Sequence, residues 1–150
     1  MRTADVYSKL EIIPENIEKL ALLQAKGYSE FRSDFRNVDS ALHRLQTSIQ
    51  ALIDIGSYII AELGLRTPSF SAEVIEILTE AGFINPKDQD RYTSMIQFRN
   101  RVVHVYNNID VEVLHGILQQ EIDDIRNLYQ TFLRVIETHE DEEEEKKKGE

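Results

Sequence analysis

Apolar residues recur along most of the chain with the spacing of amphipathic helices. In its middle and final stretches they stand three, four or seven positions apart, the repeat that lines side chains along one face of an α-helix. A looser stripe runs from Tyr7 to Lys26. The repeating positions are Val38, Leu42, Leu45, Ile49, Leu52, Ile59 and Leu63, then Val111, Leu114, Leu118, Ile122, Ile125, Leu128 and Phe132. No stretch alternates as a strand would, so the pattern predicts an all-α bundle of about five helices.

Glycines mark the expected ends of the first three helices. Gly27, Gly64 and Gly82 each follow an apolar stripe, and glycine readily adopts the left-handed conformation that closes a helix. The first three predicted helices therefore cover residues 7–26, 38–63 and 72–81.

Residues favoured at helix N-termini precede the last three helices. Ser69 or Ser71 can cap the third helix, and Asn85, directly before a proline, starts the fourth. Asn107-Asn108 then interrupts the helical pattern, and Asp110 can cap a fifth helix.

The C-terminal end of the chain is a block of charge without apolar residues. Residues 140–150 consist of an acidic run followed by three lysines. Such a segment has nothing to bury, so it is expected to be solvated or disordered. We therefore predict a helical domain over residues 1–139 and a disordered acidic tail over residues 140–150.

The charge balance does not favour a broad nucleic-acid surface. Half of the net charge of −10 lies in residues 137–150, with eight acids and three lysines, and residues 1–136 remain mildly acidic. Nucleic-acid binding proteins usually carry a basic surface. A local cluster is the remaining candidate, and Arg91, Arg99, Arg101 and His104 form one.

Composition also bears on the compartment. The chain has no cysteine, which excludes disulfides and thiolate chemistry. No apolar stretch approaches the ~20 residues of a membrane span, and no signal peptide is visible, so a cytoplasmic protein without membrane contact is expected.

The run from Arg99 to Tyr106 carries the candidate chemistry. Arginine presents a planar fork that fits phosphate oxygens, and histidine exchanges protons near neutral pH. A helix turns ~100° per residue, so on one unbroken helix Arg99 and His104 would lie about 140° apart, whereas Arg99 and Tyr106 would share a face. To act on one phosphate, Arg99 and His104 need either a helix end between them or two subunits.

The stretch from residue 98 to 127 resembles the motif region of HEPN-domain proteins, and specifically of HepT-like toxins. Their signature is an arginine, four residues, a histidine, any residue and a tyrosine, commonly with a polar residue after the arginine. Arg99, Asn100, His104 and Tyr106 fill these places. The resemblance extends over roughly residues 5–135, because residues 41–63 and 70–83 are similar to the second and third helices of that family.

The resemblance implies a metal-independent endoribonuclease without a cofactor. It would be the toxin of a two-gene module whose antitoxin is a minimal, MntA-like nucleotidyltransferase. In that reading Arg99 holds the scissile phosphate of the RNA, His104 acts as general acid or base, and Asn100 supports them. Tyr106 would be the tyrosine that the antitoxin adenylylates. The family commonly forms homodimers in which two motifs face each other.

The apolar residues near the motif also favour a homodimer. Residues 95, 96, 102, 103 and 105 are all apolar, more than one side of a small bundle needs. We therefore predict a two-fold dimer in which both motifs line a shared groove.

Each motif residue also has a plainer explanation. Arg99 and Arg101 could complement the negative end of a helix dipole, His104 could be structural, and Tyr106 could be an interface aromatic. The alternative function is therefore a non-catalytic HEPN module that dimerises and binds a nucleotidyltransferase. The complete set of Arg99, Asn100 and His104 favours the enzyme, whereas the mildly acidic character of residues 1–136 favours the alternative.

Other residues add little chemistry. Asp54 could pair with an arginine of the motif or remain solvated. His43, His115 and His139 show no spacing typical of a metal site and are expected at the surface. The sequence lacks a glycine-rich phosphate loop and the Gly-x-Ser-x-Gly elbow of hydrolases.

Overall fold

The chain forms a bundle of helices in a computed structural model. The structure describes the backbone of residues 4–105 and 110–149 and the side chains of residues 6–101 and 110–149. Every regular element in those ranges is helical, which confirms the all-α prediction. The elements are α1 (Ala4–Gln24), α2 (Tyr28–Arg32), α3 (Phe35–Glu62), α4 (Glu73–Glu80), a 3-10 turn (Pro86–Asp88), α5 (Gln89–Val105) and α6 (Val111–Lys148).

Side chains cap two of the predicted helix starts. A carboxylate oxygen of Asp110 accepts a hydrogen bond from a backbone N–H two residues on, at 2.8 Å, and the amide oxygen of Asn85 does the same at 3.0 Å. These bonds satisfy N–H groups that a helix start leaves unpaired, and both predictions are confirmed. Ala72 precedes α4 without a side-chain cap, so the prediction that Ser69 or Ser71 caps it is wrong.

Two of the three glycines close helices as predicted. Gly64 and Gly82 adopt φ angles of 66° and 88°, the left-handed conformation that glycine tolerates best. Gly27 differs, because its backbone is extended and it stands at the N-terminus of α2. That helix of five residues was not predicted, since one buried side chain, Phe31, cannot establish a periodic pattern.

Helix α3 is the centre of the bundle and contacts all five other helices. Its buried face packs against the apolar stripe of α6, which continues from Leu114 to Ile136. The largest fully buried side chains include Phe31, Leu45, Ile49, Leu52, Ile55, Ile75, Met95, Ile96 and Phe132. Met95 and Ile96 therefore belong to the core of one chain, contrary to the expectation that they contribute to a dimer surface.

A tyrosine of α6 compensates for a proline inside α1. Pro14 has no N–H, so the carbonyl of Leu10, four residues earlier, loses its usual helical partner. The hydroxyl of Tyr129 donates a hydrogen bond to that carbonyl at 3.1 Å. This bond satisfies the carbonyl and ties α1 to α6, which explains how the helix continues past the proline.

Gly56 is required by the close approach of α3 to α4 and α6. A Cβ at this position would lie 2.5 Å from Cγ1 of Val74 and 3.3 Å from Cζ of Phe132. By contrast, Gly116 lies on α6 with no atom within 4 Å of the corresponding position.

We expect opposite effects when these two helical glycines are replaced by alanine. Gly56→Ala should lower the free energy of unfolding by about 1–3 kcal/mol, because overpacking outweighs the better helix propensity of alanine. Gly116→Ala should raise it by about 0.5–1 kcal/mol, since the propensity gain acts alone. Urea denaturation of both variants measures the difference. Equal effects of the two substitutions would contradict the close packing at Gly56.

The acidic tail differs from the sequence-based expectation. Helix α6 continues through it to Lys148 instead of ending before residue 140. Glutamate and lysine are good helix formers, and residues 142–144 are glutamates that each precede a lysine by four positions, the favourable orientation of such pairs. The three lysines also complement the negative end of the helix dipole. The expectation of disorder is therefore corrected, while the segment is largely exposed as expected.

None of the helices in the described ranges combines the length and the apolar character that crossing a membrane requires.

Candidate functional site

The inner face of α5 brings Arg99 to the edge of the core. Tyr92, Met95 and Ile96 are buried on this face, and Arg99 follows at the next helical position of the same stripe. Its side chain is consequently half-buried instead of pointing into solvent. The local sequence thus directs a permanent cation toward the protein interior at one end of an apolar face.

The guanidinium of Arg99 is only partly satisfied. Its Nη1 donates a hydrogen bond to Oδ1 of Asn100 at 2.9 Å. Its Nε is buried and has no hydrogen-bond partner among the described residues. A buried donor without an acceptor is costly, so the arrangement has unused capacity to bind an anionic oxygen.

His104 lies on the same helix as Arg99. Helix α5 runs unbroken to Val105, so the two residues are five positions apart on one helix, about 140° around its axis. The first of the two alternatives raised by the sequence, a helix end between them, is therefore excluded. The side chain of His104 and the whole of Tyr106 lie outside the described residues.

The other two arginines of the expected cluster have different environments. Arg91 donates to Asp88 at 2.7 Å and lies 3.3 Å from Asp124 of α6. Two acids therefore neutralise this cation about 12 Å before Arg99 along the helix. Arg101 is exposed, and its guanidinium carbon lies 6.0 Å from the centre of the Phe98 ring. Among the described arginines of α5, Arg99 and Arg101 remain as candidates for binding a phosphate.

Asp54 pairs elsewhere in the bundle. Its carboxylate lies 2.9 Å from Nζ of Lys9 on α1 and accepts a hydrogen bond from Gln50 at 2.9 Å. A pairing with Arg99 or Arg101 is not among the contacts of the described residues. Asp54 therefore connects α1 to α3 in this structure.

Two acids of α6 lie near the α5 interface. The ion pair between Arg91 and Asp124 connects α5 to α6. Glu121 lies one turn before Asp124 on α6. Oε2 of Glu121 is buried without a hydrogen-bond partner among the described residues. Burial, together with the nearby charge of Asp124, raises the pKa of Glu121 from 4.5 to about 7.

This raised pKa predicts a pH-dependent effect of Glu121→Gln. The unfolded chain loses the proton near pH 4.5 and the folded chain near pH 7. The folded state therefore binds more protons between these values, so wild-type stability falls as pH rises across that window. Glutamine removes this loss. The variant should be about 1–3 kcal/mol more stable than wild type above pH 7, with a much smaller difference near pH 4.5.

Urea denaturation at both ends of the pH window measures this effect. The exposed Glu137 of the same helix provides a matched control, and Glu137→Gln should change stability little at either pH. A constant difference between Glu121→Gln and wild type across the window would contradict the burial of an ionised carboxylate.

The remaining histidines differ from one another. His43 is exposed, as expected, but His115 and His139 are half-buried. Nε2 of His115 lies 3.0 Å from the carbonyl oxygen of Lys26, and its ring packs against Tyr28 and Phe31. His115 therefore fastens α6 to the short α2, which sequence spacing alone could not indicate.

Two known proteins are similar to this chain in sequence. A protein of Shewanella oneidensis named mRNA nuclease HepT is 26% identical over 131 residues, which cover 87% of this chain and 95% of that protein. A protein of Archaeoglobus fulgidus described as a candidate RNase is 27% identical over 100 residues, covering 67% of this chain and 72% of its own length.

The fold is also found among solved structures. A tri-AMPylated HEPN toxin of Shewanella oneidensis, in complex with an MNT antitoxin, superposes with a TM-score of 0.78 at 23% identity, over 89% of this chain and 99% of that one. A cytosolic protein of unknown function from Bacillus subtilis, YutE, superposes with a TM-score of 0.67 at 22% identity, over 91% and 92%. At these identities the likeness establishes the fold.

A family model described as Ribonuclease HepT-like matches residues 13–132. This span begins in α1, includes the whole of α5 and ends in α6, so it leaves the acidic tail outside. The resemblance predicted from the Arg99 motif is thereby confirmed. The chain belongs to the Ribonuclease HepT-like family.

Proposed function

We propose that this chain is a metal-independent endoribonuclease and the toxin of a type VII toxin–antitoxin module in the cytoplasm. One observation carries the proposal. In a chain of the Ribonuclease HepT-like family, Arg99 is half-buried at the edge of the core, bonded to Asn100 through Nη1 and unpartnered at Nε among the described residues. This is the arrangement expected of a guanidinium that donates hydrogen bonds to a phosphate oxygen.

The proposed chemistry needs only side chains of the motif. The guanidinium of Arg99 binds the scissile phosphate and stabilises the negative charge that develops on it. His104 accepts the proton of the attacking ribose 2′-hydroxyl or delivers a proton to the leaving oxygen. Asn100 holds the guanidinium in place through its side-chain oxygen.

The unbroken helix supports a site shared by two subunits. The backbone positions of Arg99 and His104 are about 140° apart around α5, and two copies of the helix offer a simpler way to bring both residue types to one phosphate than a single copy does. In a two-fold dimer, Arg99 of one protomer and His104 of its partner can approach the same RNA strand. Two arginines then meet in one groove, which offsets the acidic character of the rest of the surface.

The proposed protein partner is a nucleotidyltransferase antitoxin of the MntA kind. The structurally similar Shewanella toxin is AMPylated and bound to an MNT antitoxin. Tyr106 follows His104 by two positions, so we propose it as the modified residue here. The phosphate of an attached AMP would compete with the RNA backbone for Arg99.

We expect co-expression with the cognate antitoxin to raise the intact mass by one or more AMP units. A tryptic peptide covering residues 102–126 contains Tyr106 as its only tyrosine, so tandem mass spectrometry can place the modification on it. Tyr106→Phe should remove the added mass and escape neutralisation, whereas Tyr7→Phe, at a tyrosine that is about half exposed, should change neither. Neutralisation without a change of mass would show inhibition by binding alone.

The test of the enzymatic proposal is RNA cleavage by the purified chain in excess EDTA. Cleavage that is equal with EDTA and with Mg²⁺ is the expected result, because no step requires a metal. Cleavage that appears only with Mg²⁺ would contradict the mechanism. Absence of cleavage under both conditions, with antitoxin binding retained, would instead favour the alternative of a non-catalytic HEPN binding module. The mildly acidic character of residues 1–136 is an argument for that alternative.

A further inference from the structure

A second cluster of ionisable groups lies far from Arg99, where the tail of α6 passes the end of α3. Nε2 of His139 is 3.4 Å from Oε1 of Glu143 and 3.8 Å from Oε2 of Glu62. His139 and Glu143 are four residues apart on α6, and Glu62 is the last residue of α3. One ligand atom from each residue lies within 4.8 Å of the other two.

The imidazole nitrogen of His139 has no hydrogen-bond partner in the part of the chain that the structure describes. Nε2 is buried and makes no hydrogen bond to any described residue, although two carboxylates are close. An unsatisfied buried nitrogen calls for an explanation, such as an ion that the neighbouring groups also bind. The nitrogen and two carboxylate oxygens together form a mixed N/O donor set.

The distances suit a divalent transition metal. Zinc binds histidine nitrogen and carboxylate oxygen at about 2.0–2.2 Å, which places tetrahedral ligands about 3.4 Å apart. The separation of His139 and Glu143 has this value. The separation of His139 and Glu62 is 3.8 Å, and the carboxylate oxygens of Glu62 and Glu143 lie within 4.8 Å of each other, so rotation of these flexible side chains is needed to complete the geometry. A fourth position would remain for water.

The site has a route for an ion. A cavity of about 510 Å³ lies beside His139 and is lined by Thr131, Arg134 and Thr138 of α6, among other residues. Metal sites need such an entry path in addition to correct ligands.

We propose that Glu62, His139 and Glu143 bind a divalent transition metal of the Zn²⁺ class, which joins the tail of α6 to the end of α3. The histidine favours zinc, cobalt or nickel over magnesium. Residues 139 and 143 lie beyond residues 13–132, the span that the family model matches. The site is separate from the proposed catalytic motif. Helices α5 and α6 are in contact where Arg91 lies near Asp124. From that contact, His139 lies about 22 Å along α6 and Arg99 about 12 Å along α5.

The test uses the full chain without a polyhistidine tag and three added ions, Zn²⁺, Co²⁺ and Mg²⁺. Isothermal titration should show one Zn²⁺ per chain, Co²⁺ should develop a visible absorption band, and both should raise the thermal midpoint. Mg²⁺ should do none of these. His139→Ala and Glu143→Gln should each weaken Zn²⁺ binding by about tenfold or more, because even groups outside the coordination sphere matter that much.

Two control variants distinguish Zn²⁺ binding at this site from nonspecific Zn²⁺ binding at exposed side chains. His43→Ala removes an exposed histidine of α3, and Glu137→Gln removes an exposed acid of α6; both should bind Zn²⁺ as wild type does. Failure of wild type to bind, or equal binding by His139→Ala, would overturn the proposal and leave these residues as an ion pair only. RNA cleavage in EDTA tests the catalytic proposal and is independent of either result.

Discussion

Replacing Arg99 by alanine should reduce RNA cleavage by about a hundred- to a thousandfold, the range found when one donor to a developing negative charge is lost. The guanidinium is half-buried, and its Nε has no hydrogen-bond partner among the described residues, so it is available to the phosphate. Arg99→Lys should not restore full activity. Lysine keeps the charge but lacks the planar fork that binds two oxygens, and it cannot reproduce the bond to Asn100 in the same geometry.

Single-turnover cleavage of one defined RNA measures this loss, with circular dichroism to confirm that the helices persist. Arg36→Ala is a suitable control, because that arginine is exposed and pairs with Asp34 at the start of α3. Full activity of Arg99→Ala would contradict the assignment of the phosphate to this residue. A fall in activity that follows unfolding of the variant would also count against it.

The second large effect concerns mixtures of inactive subunits. If Arg99 of one protomer acts with His104 of its partner, a heterodimer of Arg99→Ala and His104→Ala keeps one intact pair. Co-refolding equal amounts of the two variants gives half heterodimers, each with one of two sites, so activity should return to about one quarter of wild type. Each variant refolded alone should remain inactive.

The same mixture tests the dimer itself. Sedimentation should give a dimer for wild type and for both variants, since neither residue is expected to hold the subunits together. An inactive mixture that still forms heterodimers would show that both groups act within one chain. A monomer in solution would exclude the shared groove altogether.

Local signals in the sequence predicted much of the fold. The apolar repeats of α3 and α6 are long enough to establish a helical period. The side chains of Asn85 and Asp110 accept hydrogen bonds from backbone N–H groups only two or three residues further along the chain. The inward direction of Arg99 was not predicted, although it too depends on one helix, because Arg99 continues the stripe of Tyr92, Met95 and Ile96. Such features depend only on neighbours along one helix.

Features that depend on contacts between helices were not predictable. The ion pair between Arg91 and Asp124 joins residues far apart in sequence, as does the group formed by Glu62 and His139. The helical tail was missed for another reason: the prediction considered its inability to bury apolar surface and not the helix propensity of its glutamates and lysines. The division of the chain at residue 139 stays a prediction, as do the roles of Arg99, Asn100, His104 and Tyr106.

The most direct test of the central claim is a side-by-side cleavage assay of wild type and His104→Ala in excess EDTA, with His43→Ala as a histidine control. We expect wild type and His43→Ala to cleave RNA at equal rates without a metal. His104→Ala should be slower by about a hundred- to ten-thousandfold, the usual contribution of a general acid or base. Cleavage by His104→Ala at the wild-type rate, or loss of wild-type cleavage in EDTA, would contradict the proposal that this chain is a metal-independent ribonuclease.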